Sequence, residues 1–224
     1  MLIEFYGIAG SGKTTLVREI VKILREQGIV AYSLKKSGGV TNDYSYSLKE
    51  GKGFLPMFKT CLTRPLLLVK LFRLAGRIGE NRFFLFLSLW QQHALLQYKR
   101  NAVFLSDHGL MQSLTGKMLT NVPNRSLKEI FNNKLLYENR LFIGVEIDRK
   151  TLKKRIRTSE KHFGQKGQMD LDNYFDAYTV VLQQIQNNMG DELFHCKNNN
   201  EIEFKSAVDK VVSLIACYYQ KIYR

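Results

Sequence analysis

Eight residues near the N-terminus, Gly7-Ile8-Ala9-Gly10-Ser11-Gly12-Lys13-Thr14, constrain this chain more than any other stretch. They fit the pattern G-x-x-x-x-G-K-[ST]. They sit between an apolar run, Leu2–Tyr6, and a segment in which Leu16, Val17, Ile20, Val21 and Leu24 recur at helical spacing. Glycines let the backbone turn tightly, so successive N–H groups point inward on one anion. The helix that follows adds its unpaired N–H groups and the positive end of its dipole. Gly7, Ala9, Gly10, Ser11, Gly12, Lys13, Thr14 and Thr15 are therefore expected to hold nucleotide phosphates. Lys13 should reach the β- and γ-phosphates, and the Thr14 hydroxyl should bind Mg²⁺.

Downstream, Gly28 reads as the C-cap of the first helix, and Ile29–Leu34 as a second strand. Strand–helix–strand in this order begins a parallel sheet with crossover helices. Residues 40–60 give no clear reading. Thr63-Arg64-Pro65 marks a helix start, and Asn81–Tyr98 a further, largely buried helix. Ala102–Ser106 is expected to be the third strand and Leu141–Ile147 the fourth, with a short helix over Arg125–Asn133 between them. Arg149–Phe163 reads as a very basic helix, Leu171–Met189 as a helix, Glu192–Cys196 as a weak fifth strand and Glu201–Tyr219 as the last helix. The fold class is thus α/β, one domain over its 224 residues with a mostly five-stranded parallel sheet.

Asp107 closes the third strand. In a parallel sheet that end faces the ligand crevice, where a carboxylate can hold Mg²⁺ through water or take a proton from an acceptor hydroxyl. Ser106 and His108, its neighbours, are weaker candidates for metal contact and proton transfer.

With those residues in hand, the chain resembles the thymidylate-kinase-like group of P-loop nucleoside and nucleotide kinases. The loop followed by Thr15 gives the group's GKTT, and Leu34-Lys35-Lys36-Ser37-Gly38-Gly39 stands where it has T-R-E-P-G-G. Phe86-Leu87-Ser88-Leu89-Trp90-Gln91-Gln92-His93 is similar to its F-L-A-D-R-A-Q-H helix, and Asp107-His108-Gly109 to its D-R-Y. Ile147-Asp148 to Arg157 is similar to the strand end and basic lid helix. The resemblance implies a P-loop NTPase three-layer sandwich, with a helical insertion at about 54–100 and a lid at about 149–170. It implies a kinase using ATP and Mg²⁺ on a small acceptor, a nucleoside or nucleoside monophosphate, and admits a homodimer. Two arginines of the group that grip an acceptor phosphate are replaced, by Trp90 and His108, and Lys35 stands in for a third. A lysine cannot make the bidentate contact of an arginine. An altered acceptor site beside an intact donor site follows.

Arg149, Lys150, Lys153, Lys154, Arg155, Arg157 and Lys161 crowd the lid segment. Cations there can close over a transferring phosphoryl group. Arg155 and Arg157 match the group's lid arginines; helix positions two apart diverge, so one of them is expected to reach the phosphates. Lys35, Phe86, Trp90 and Gln92 are the candidates for acceptor binding. Phe86 and Trp90, four apart, can sandwich a base or pack the core, and Gln92 can read a base edge. Tyr44 and Tyr46 can stack a ring as well.

Charge adds a further constraint: 34 Lys and Arg stand against 20 Asp and Glu, a formal +14 that attracts anions. The face carrying Lys70, Arg73 and Arg77 can meet phosphates, though no nucleic-acid motif accompanies it. Three scattered cysteines, Cys61, Cys196 and Cys217, exclude a disulfide framework and suit a reducing cytoplasm. No apolar run approaches the length of about 20 that crosses a bilayer, and the first residues do not read as a signal peptide. An NTP-hydrolysing switch is the alternative to a kinase; it needs a group to orient water, and Asp107 is followed by His108 rather than a glutamate.

Overall fold

The computed structural model of the protein describes residues 1–35, 45–47, 54–78, 82–98, 101–107, 109–118, 140–158, 171–189 and 193–223. Six parallel strands form one sheet: β1 (Leu2–Tyr6), β2 (Ala31–Lys35), β3 (Ser45–Ser47), β4 (Val103–Ser106), β5 (Arg140–Glu146) and β6 (Leu193–Lys197). Their order is β3-β2-β4-β1-β5-β6. Sequence reading expected five strands; the sixth, β3, extends the β2 edge, with Ser33, Leu34 and Lys35 opposite Ser45, Tyr46 and Ser47. Three residues without apolar alternation carry no strand signal of their own.

β1 is central, with Leu2 opposite Phe104 on one side and Arg140 on the other. All five of its residues are buried, as a parallel strand covered on both faces requires. Helices α1 (Lys13–Glu26) and α8 (Glu201–Tyr223) cover one face. There Leu16, Val17, Ile20, Val21 and Leu24 meet Ile3, Phe5, Val211 and Ile215. The periodicity read from sequence is this buried stripe. The C-terminus of α1 closes with Gly28 N donating to Arg25 O and Ile29 N to Leu24 O, both at 2.9 Å, which is a Schellman motif.

The opposite face is covered by α3 (Pro65–Ile78), α4 (Arg82–Tyr98), α5 (Leu110–Met118) and α7 (Leu171–Met189), which α2 (Phe54–Thr63) joins through α3 and α4. α2 and α3 both pack on α4. Pro65 begins α3, the helix start read from Thr63-Arg64-Pro65; Thr63 also ends α2, its hydroxyl donating to Lys59 O at 2.9 Å. The helix α6 (Arg149–Thr158) lies after β5. The result is an α/β sandwich of three layers. The helix expected over 125–133 and the far half of the lid, 159–170, lie outside the described residues.

Candidate active site

The turn from β1 into α1 lies at the carboxyl edge of the sheet, beside the ends of β4, β5 and β6. β1 is where the strand order reverses, the place at which open parallel sheets leave a crevice. A cavity of about 750 Å³ opens there. It is walled by Ala9, Gly10, Gly12, Lys13, Thr14 and Thr15, with Asp107 from the end of β4 and Arg155 from α6.

Two side chains of the loop, Lys13 and Thr14, have defined partners. Lys13 Nζ folds back and donates to Gly7 O at 2.7 Å and Ile8 O at 3.0 Å. The Thr14 hydroxyl donates to Asp107 Oδ2. Gly7 N donates to Gln112 Oε1 of α5 at 3.2 Å. Gly12 has φ 88°, and a Cβ there would stand 2.3 Å from Asn198 Nδ2, so both backbone and space demand glycine.

Asn198, just past β6, is a residue that sequence reasoning passed over. It is 2% exposed, and its Nδ2 donates to Ser11 O at 2.7 Å. Its own N donates to Glu146 O, so the strand end and the loop are tied through one side chain. Arg155 completes the clamp: Nη2 donates to Asn198 O at 2.8 Å and Nη1 to Ser11 O at 3.3 Å. The next two asparagines have separate tasks. Asn199 Oδ1 accepts from Asp148 N, and Asn200 Oδ1 accepts from Glu203 N at the start of α8. Asp148 in turn caps α6, accepting from Thr151 N at 2.7 Å. The triplet Asn198-Asn199-Asn200 after a weak strand was the available signal.

Of the cations crowded in α6, the structure brings Arg155 to the loop. Arg149 and Lys153 turn elsewhere: both pair with Asp172 of α7, and Arg149 also with Asp176. Those pairs are partly exposed and worth little individually, but they fasten α6 to α7. Lys35 and Arg157 belong to β2 and α6 by their backbone; their side chains, with His108 and Tyr44, lie outside the described residues.

Phe86, Trp90 and Gln92 do not line the cavity. Phe86 and Trp90 are 5.6 Å apart between ring centroids, and Phe86 meets Phe72 edge-on. Both pack against a cluster holding Tyr6, Leu71, Leu89 and Phe142. Their four-residue spacing sets both rings, half-buried, on one stripe of α4. Gln92 is buried, and its side-chain oxygen has no hydrogen-bond partner among the described residues. Ser106 is also buried, within β4. A second cavity, about 280 Å³, is walled by Ile8, Glu146, Phe175, Tyr178 and His195 and shares no residue with the first.

Neither a protein-family model nor a curated protein matches this chain. Similar solved structures include shikimate kinase from Bacteroides thetaiotaomicron, at 13% identity and TM-score 0.46, covering 96% of this chain and 98% of that one. Deoxyadenosine kinase from M. mycoides with bound dCTP is similar at 17% identity and TM-score 0.48, covering 95% and 100%. At this level the likeness speaks to no activity. The fold assignment stands on the sheet order and on the strand–loop–helix unit itself.

The residues present suit a magnesium nucleotide. A hydroxyl and a carboxylate, Thr14 and Asp107, meet at the mouth of the loop, the hard oxygen pair that Mg²⁺ takes when substrate phosphates complete its shell. Among the described residues no cluster of three or more His, Cys, Asp or Glu forms a metal cage. Burial pushes the Lys13 ammonium down to about 8, against the pull of Asp107. Phosphate oxygens beside it would raise that value again. Above pH about 8 the free protein holds Lys13 neutral, and nucleotide binding should take up a proton. Affinity should therefore fall as pH rises through that value. Titration calorimetry in two buffers of different ionisation heat, at alkaline pH, should show the uptake; Lys13→Met should abolish it.

Proposed function

We propose that this protein is a Mg-ATP-dependent phosphotransferase acting on a small acceptor, a nucleoside or nucleoside monophosphate. The observation that carries this reading is the convergence of Lys13, Thr14, Asp107 and Arg155 on one glycine-rich loop at the carboxyl edge of β1.

The chain's residues divide the work as follows. Inward-facing amides of Gly10 to Thr15 cradle the phosphates, and the N-terminus of α1 adds its dipole. Lys13 Nζ leaves the carbonyls of Gly7 and Ile8 for the phosphate oxygens and meets charge on the transferring group. Thr14 and Asp107 would hold the Mg²⁺, which supplies charge neutralisation between the phosphates when bound. Alternatively Asp107, which lines the cavity, would accept the proton of an acceptor hydroxyl. Arg155, already at the loop, is the cation that α6 contributes as the lid. Its neighbour Arg157 is the second candidate of that helix, and Lys35 the candidate anion contact at the acceptor side.

The test is a screen of nucleosides, nucleoside monophosphates and sugars with Mg-ATP, read by mass gain of one phosphoryl group. Transfer to a nucleoside or its monophosphate is expected. Asp107→Asn should lower the turnover by about 10²-fold or more. Hydrolysis of ATP independent of any acceptor, with no phosphorylated product across the screen, would replace the kinase reading by that of an NTP-driven switch.

A further inference from the structure

Nine large apolar side chains are exposed among the described residues, and five of them fall between Phe58 and Phe72. Leu62 and Leu66 are the most open of the five, at 69% and 76%. These residues belong to α2 and α3, consecutive helices that meet at Arg64, where Arg64 N donates to Thr60 O and Leu67 N to Arg64 O. Both helices turn a narrow inner side to the fold: Met57 and Thr60 in α2, Leu71 and Ala75 in α3. By helical spacing, Leu66, Val69 and Arg73 lie on the opposite side of α3, flanked by Lys70. In α2, Phe58 and Leu62 lie together, one turn apart.

Charge on this face has one sign. Residues 54–79 contain five Lys and Arg and no Asp or Glu. Lys59, Arg64, Lys70 and Arg73 are exposed, and none of them enters an ion pair among the described residues. Outward leucine, valine and phenylalanine interleaved with cations is the composition of a helix that lies in a membrane interface. A solvated basic face would not need the apolar residues, and a phosphate-reading face for nucleic acid would not use them. Two copies docked symmetrically through this face would oppose like charges. Among the described residues no helix is long and apolar enough to cross a membrane.

We infer that α2 and α3 form a docking surface for an anionic lipid bilayer, with Phe58, Leu62, Leu66 and Val69 entering the headgroup boundary and Lys59, Arg64, Lys70 and Arg73 pairing with lipid phosphates. The surface lies on the α2–α3–α4 side of the sheet and is separate from the nucleotide cavity, none of whose walls it shares. Docking there would keep the protein at a surface while leaving the cavity open.

The test is flotation of the full chain with vesicles of phosphatidylcholine alone and of phosphatidylcholine mixed with phosphatidylglycerol, at low and at raised salt. Binding to the anionic vesicles alone is expected, weakening with salt. Lys70→Gln with Arg73→Gln should lower the partition coefficient roughly thirtyfold, about fivefold for each charge. Leu66→Ser with Val69→Ser should lower it at least tenfold on the same vesicles. Both pairs are exposed, so thermal stabilisation by Mg-ATP should be unchanged and certify the fold. Absence of binding to anionic vesicles at low salt overturns the inference, and so does binding that neither pair alters. Loss of a dimer in either variant without vesicle binding assigns the face to a second copy instead. Binding to duplex DNA that Leu66→Ser with Val69→Ser leaves intact, without vesicle binding, assigns it to nucleic acid.

Discussion

Lys13→Ala is expected to abolish phosphoryl transfer while the fold survives. The loss should be at least about 10²–10³-fold in turnover, the scale of removing one preorganised cationic or hydrogen-bond donor from a developing charge. The structure explains why the fold should tolerate it. Lys13 Nζ bonds two main-chain carbonyls, Gly7 O and Ile8 O, at the floor of an open cavity, where water can take its place. The ammonium is also held against its own preference: burial drives it down to about 8, so below that pH the folded chain carries an ill-solvated charge. Lys13→Met keeps the stem and removes that charge. It should melt no earlier than the parent at pH 7, while losing nucleotide affinity. Thermal scans with and without Mg-ATP separate the two effects, because a ligand that binds only the folded state raises its melting point. Transfer near the parental rate in Lys13→Ala would show that the loop does not do the chemistry assigned to it.

How much of this was legible in the sequence depends on the range over which each interaction acts. The buried stripe of α1 repeats every three or four residues, so periodicity alone placed Leu16, Val17, Ile20, Val21 and Leu24 correctly. Leu171–Met189 was likewise bounded to the residue. The glycine-rich turn is legible because its geometry needs particular residues at particular spacings, and the place of Asp107 beside it because a strand end is a local event. Asn198 left no such mark. Its bond to Ser11 O spans 187 positions, and one asparagine in a loop looks like any other. Phe86 and Trp90 show the converse problem: four-residue spacing serves core packing and base stacking alike, and it takes the fold to set Leu71, Leu89 and Phe142 beside the two rings. The crowd of cations in α6 was legible as a crowd, but its division was not. Asp172 and Asp176, which hold Arg149 and leave Arg155 to the glycine-rich turn, stand on α7, the second of them 27 positions from Arg149.

Glu4 was equally hidden, a lone carboxylate inside an apolar strand, and it supports the second large effect. Arg140→Met is expected to destabilise the fold by about 3–5 kcal/mol. The two side chains are fully buried, with Arg140 Nη1 3.0 Å from Glu4 Oε1. Taking either partner away strands the other charge where water cannot reach it. Burial already pushes the Glu4 carboxyl up, against Arg140 and the amides of Met111 and Leu110. Those amides open α5, so Glu4 anchors the helix from the neighbouring strand; Met111 N donates to it at 3.2 Å. The approach is close enough to dictate Gly109, where a Cβ would stand 2.2 Å from Glu4 Oε2. The next residue after Met111, Gln112, accepts from Gly7 N, so the buried pair, the start of α5 and the first residue of the glycine-rich turn form one chain of contacts. Glu4→Gln keeps an oxygen for the Met111 amide and removes the charge. Combined with Arg140→Met, it should recover most of the loss, because no unpaired ion remains. Urea denaturation of the two single variants and the double gives the coupling directly. A double variant as unstable as the sum of the singles would mean that shape, not charge, is what this pair contributes.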